Sequence, residues 1–162
     1  MMFKVSKLLV TSLFTALLAF PSTLKAEEHS LIGINYPPFP EEVEGIGGWI
    51  TEEPYGIDQV SIDGQELLLL SRLIRRDSKG KAFFKVVNVL SLPSINTETE
   101  EIRGSCFVNG KEAPNMIFLA KWEEEKPYLT KARKAWRVEG ENFVEINPQS
   151  VNFQCENYAY GL

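Results

Sequence analysis

One histidine, His29, and two cysteines, Cys106 and Cys155, are the whole stock of imidazole and thiol in this chain. That shortage excludes a good deal. A Ser-His-Asp or Cys-His arrangement would have to recruit His29, close to the amino terminus. Two cysteines about 50 residues apart and one imidazole make a poor zinc set. Aspartate is scarce as well: Asp58, Asp63 and Asp77 are the only ones, and their spacing matches no EF-hand loop. Gly45, Gly47 and Gly48 lack the spacing of a phosphate loop, and no Lys-Ser/Thr follows them. The sequence therefore nominates no catalytic residue, no metal ligand and no cofactor.

What is present begins with a leader-like amino terminus. Lys4 and Lys7 precede an apolar run over residues 8–20, and Pro21 and Ser22 break it. A dozen or so apolar residues suit a signal-peptide core; a membrane span needs about 20. The expectation is a cleaved signal peptide over residues 1–26, with cleavage after Ala26, although Leu24 is large for the −3 position. No second long apolar run follows, so no integral membrane segment is expected in the mature chain. The leader carries Lys4, Lys7 and Lys25 and no acid, so its removal takes the net charge from −5 to −8. An acidic chain repels phosphate backbones and anionic lipid, which argues against nucleic acid as a partner. An exported chain with two cysteines most simply forms one disulfide, Cys106–Cys155.

Residues 27–48 read as an extended arm. Pro37, Pro38 and Pro40 remove backbone donors, with Tyr36 and Phe39 among them. The arm either exposes these aromatics to a partner groove or lies over the domain with its rings filling a cleft. Residues 49–162 read as one β-domain. Weak alternation of Ile57, Val60 and Ile62 leads to Asp63-Gly64, a tight-turn signal. Residues 65–93 form the clearest hairpin, with its turn at residues 77–80. The second arm is rich in Phe and Val, which favours strand. A helix over residues 66–76 is the alternative, since Leu69, Leu70, Leu73 and Ile74 also fall at helical spacing. Apolar residues on both faces of this hairpin imply burial on both sides. Asn109-Gly110 marks another turn, residues 116–122 another strand, and residues 139–142 a hairpin turn.

Over residues 128–138 one set of alternating positions is mostly apolar, and the other carries Lys131, Arg133 and Arg137. As a strand, this stretch presents a basic stripe able to grip a carboxylate or an acidic groove. The same three cations could equally pair with neighbouring glutamates. Val151, Phe153 and Cys155 then alternate inward.

The fold class expected is all-β: a single small antiparallel barrel or sandwich of about seven or eight strands after a cleaved signal peptide. In size, leader and lone cysteine pair the chain resembles small periplasmic β-domains such as lysozyme inhibitors; the resemblance is architectural, none of that family's motifs is present, and it implies a fold alone. The functional expectation is an exported, periplasmic or extracellular, non-enzymatic protein that binds another protein or a cell-envelope component. Candidate contacts are Lys131, Arg133, Arg137, Tyr36 and Phe39. A small glycan hydrolase using paired glutamates and a carrier of a small apolar ligand are the alternatives.

Overall fold

A computed structural model describes residues 30–161. The expected leader, residues 1–26, and His29 lie outside them. Among the described residues the chain is all-β, with its strands in three antiparallel sheets. Sheet A has the order β1 (Asn35–Tyr36), β5 (Ala82–Ser91), β4 (Gln65–Arg76), β3 (Tyr55–Ile62), β2 (Glu44–Ile50). Sheet B has the order β12 (Asn142–Ile146), β11 (Ala132–Glu139), β9 (Met116–Lys121), β6 (Glu100–Arg103). Sheet C has the order β10 (Tyr128–Leu129), β13 (Phe153–Glu156), β7 (Cys106–Val108), β8 (Lys111–Ala113).

No closed barrel is found among these strands, and the expected seven or eight become thirteen, several of only two or three residues. The packing supplies the reason. In β9 the first five residues are all buried. Met116, Phe118 and Ala120 pack with Cys106, Leu129, Phe153 and Cys155 of sheet C, whereas Ile117 and Leu119 pack with Ile57, Leu68 and Leu70 of sheet A. Sheet B is therefore the middle layer of a stack. A strand apolar on both faces needs a cover on both, and the wall of a filled barrel provides only one.

The same logic settles β4 as strand rather than helix. Leu68 and Leu70 face sheet B, while Leu67 and Leu69 join Val60, Ile62 and Val86 on the outer face of sheet A. The amino-terminal arm covers that outer face with Leu31, Tyr36 and Val43. The arm also enters the sheet at both its edges: β1 pairs with β5, and β2 pairs with β3.

Turn chemistry holds the hairpins in register. Asp63 (φ 48°) and Gly64 (φ 80°) both take positive φ between the paired Ile62 and Gln65. Asn109 (φ 52°) and Gly110 (φ 76°) do the same between Val108 and Lys111. Two positive-φ residues match the right-handed twist of flanking strands, and Asn, Asp and Gly reach that region most readily. Cys106 and Cys155 form a disulfide with a Cα–Cα distance of 4.4 Å, joining β7 to the neighbouring β13 inside sheet C. No helix among the described residues is long and apolar enough to cross a membrane.

Candidate functional site

The three cations of the expected basic stripe go to three separate glutamates of their own chain. Arg133 grips Glu100 with both forks, Nε at 2.8 Å and an Nη at 2.9 Å, and donates a further bond to the Ser94 carbonyl at 2.8 Å. That guanidinium holds the largely buried Glu100 carboxyl below its ordinary pKa. Lys131 lies 3.3 Å from Glu123, and Arg137 donates to Glu139 through Nε at 2.8 Å. A bulge at Arg133, between the paired Ala132 and Lys134, resets the alternation that the stripe depends on.

Tyr36 and Phe39 do come together, their rings stacked with centroids 4.3 Å apart. They lie on sheet A, as the covering form of the arm requires. Tyr36 is 5% exposed, its ring against Phe84, and Phe39 lies over Gly45.

The glutamates that the hydrolase alternative needs line a surface cleft of about 530 Å³ with Trp122 and Lys131. Glu123 is the least exposed of them and is locked as an anion. Its carboxylate accepts from Lys126 Nζ at 2.6 Å, Thr130 N at 3.0 Å and Thr130 Oγ1 at 3.1 Å. These donors, Lys126 foremost, hold its pKa at about 2. A general acid must carry a proton near neutral pH, and Glu123 does not.

A different group of residues stands out on the outer face of sheet A. Asp58 of β3 shares that face with Val60 and Ile62, at a position where the strand pattern calls for an apolar side chain. The Tyr36 phenol, brought in by β1, donates to its carboxylate. No lysine or arginine among the described residues forms an ion pair with it. Burial pushes the Asp58 carboxyl above its ordinary pKa, partly offset by the phenol's bond. Burial and the neighbouring Asp58 likewise push the phenol well above its own, so it stays a donor. The Ser71 hydroxyl, fully buried and adjoining the phenol, has no partner at hydrogen-bond geometry.

This group borders a cleft of about 300 Å³ lined by Gly48, Trp49, Gly56, Ile57, Asp58 and Phe84. The cleft exists because Gly48 pairs with Asp58, and Gly56 with Ser71, without side chains to fill the space. A Cβ on Gly48 would come within 2.8 Å of Asp58 Oδ1 and 2.9 Å of the Ile57 carbonyl oxygen. Trp49 seals the other side of the strand. Its indole is seated so closely on Gly104 that a Cβ there would lie 2.2 Å away. The sequence does not mark Gly48 as part of a site: residues 27–48 read as an extended arm, and their glycines lack the spacing of a phosphate loop. The available signal was Asp58 itself, an acid in register with the apolar set Val60 and Ile62. Among the described residues, no three of His, Cys, Asp and Glu stand together as metal ligands.

No family model, no curated protein and no solved structure matches this chain.

Proposed function

We propose that this is an exported, non-catalytic binding protein, and that it recognises another protein or a cell-envelope component through a cationic group seated in the Asp58 cleft. The observation that carries the reading is a half-buried carboxylate, held by a phenol and, among the described residues, by no cation, beside an open glycine-floored cleft. Removing a carboxylate from water is costly unless an opposite charge meets it. An ammonium or guanidinium entering the cleft supplies that charge, and the Phe84 ring offers a face for cation–π contact. Export is supported by the leader-like residues 1–26 and by the Cys106–Cys155 pair, since disulfides persist in oxidising compartments.

The test is a titration with arginine methyl ester, followed by the amide resonances of Gly48 and Gly56 and the carboxyl resonance of Asp58. Saturable shifts at these positions are expected, with a fall in the Asp58 pKa on binding, because a nearby cation favours the carboxylate. N-acetylnorleucine methyl ester, which carries no charge, should produce neither, and Asp58→Asn should abolish the shifts at Gly48 and Gly56. Shifts spread evenly over the surface, or an unmoved Asp58, would refute the reading.

A further inference from the structure

The cleft opens onto the edge of sheet A, and that edge is unusual in what it leaves undefended. Strand β2, sequence EGIGGWI, pairs with β3 on one side and with no strand among the described residues on the other. Exposed edges are normally blunted by shortness, by proline or by lysine. The outer strands β1, β6, β8 and β10 are four residues or fewer. The remaining edge, β12, carries Glu145 in an ion pair with Lys134. By contrast β2 runs for seven residues with no proline, lysine or arginine. Its guards are a bulge at Ile46, between the paired Gly45 and Gly47, and the acid Glu44 at its start. Past the bulge, residues 47–50 keep unbroken register with β3.

We infer that this edge takes up an extended basic peptide from the partner as an added strand, with a lysine or arginine opposite Gly48 whose charged head reaches Asp58. The inference rests on the cleft reading above and gives its occupant a backbone conformation and a register. Main-chain bonds to β2 supply affinity, and the slot over Gly48 supplies specificity. Gly48 is what makes the slot. A neighbouring strand lies about 4.8 Å away, and a long side chain spans the directly opposite and diagonal positions on the shared face. Any side chain at position 48 would stand in that path, since even its first carbon would crowd Asp58 Oδ1. The charge around the edge points the same way. Glu44 at one end of β2 and Glu52 past the other form no ion pair among the described residues, and no base lies on the strand. A basic strand is complementary to that rim along its length.

The experiment uses the full chain and a short peptide of alternating Thr and Gln with one central Arg. Three companions accompany it: the same peptide with norleucine for Arg, with alternate backbone amides methylated, and arginine methyl ester alone. The Arg peptide should protect the outward amides of β2 from hydrogen exchange and bind about tenfold tighter than the norleucine peptide. Amide methylation should abolish binding, and Asp58→Asn should erase the Arg preference. The Arg-to-norleucine comparison on the unaltered protein stands even where Asp58→Asn fails to fold. Equal binding of Arg and norleucine peptides, or undiminished binding of the methylated one, overturns the inference. So does a β2 edge already protected in the free protein, whether by a second copy or by residues 1–29. If arginine methyl ester moves Gly48 and Gly56 while no peptide protects β2, strand addition fails and the cleft reading survives. If neither probe acts, both fall.

Discussion

Glu123 and Asp58 show how differently two carboxylates are treated in one small chain. Glu123 is surrounded by donors, and its role is to tie the loop before β10 to Lys126, Thr130 and Lys131. Its folded pKa of about 2 lies below the ordinary glutamate value of 4.5. The stability it contributes is therefore fully present above about pH 4.5 and is lost as pH falls toward 2. Glu123→Gln should cost about 1–2 kcal/mol at neutral pH, the range for hydrogen bonds to a charged group with solvent-exposed partners. Urea unfolding across pH should show the variant converging on the parent below about pH 2. A gap that persists there would mean that the loss is steric rather than ionic. Asp58 is the opposite case, a carboxylate with no cationic partner among the described residues, and for that reason it is the one proposed to take a ligand.

Among the elements, β9 bears the most. Its alternate residues are shared between two cores, with Phe118 stacked on Phe153 at 4.0 Å toward sheet C and Ile117 and Leu119 turned toward sheet A. Phe118→Ala should cost about 3–5 kcal/mol, the usual penalty for emptying a buried aromatic site. The damage should also have a direction. Amide exchange should rise in β7 and β13, which lose their packing partner, well before it rises in β3 and β4. Equal loosening on both sides would show that the two cores respond as one unit. The arm behaves as an element in the same sense: β1 contributes only two residues of pairing, yet it is the strand that carries the Tyr36 phenol to Asp58.

At the level of the whole molecule, the three layers divide the labour. The disulfide lies in sheet C, whose strands are short, and the cleft lies on the far face of sheet A. Closing a loop across a sequence separation of 49 is worth about 4 kcal/mol in the chain-entropy model. Replacing both Cys106 and Cys155 by Ala should lower stability by about 2–4 kcal/mol, measured by urea unfolding. Under native conditions the response of Gly48 and Gly56 to arginine methyl ester should survive that change, because sheet B stands between. Loss of the response in a variant that remains folded would show the cleft to depend on sheet C.

The parts of this architecture that could be read ahead of the structure are those governed by neighbours in the chain. Asp63-Gly64 and Asn109-Gly110 announce their turns because positive φ is a property of one or two residues. The unbroken apolar run at residues 67–70 announces a strand buried on both faces, and two cysteines in a chain with a leader-like start announce their pairing. The rest depends on partners that local preference does not choose. Arg133 meets Glu100 and Tyr36 meets Asp58 across 33 and 22 positions. A bulge at Arg133 undoes the basic stripe that strict alternation implies. Three stacked sheets replace a barrel because β4 and β9 each need two apolar covers, and only the folded chain determines which distant segments supply them.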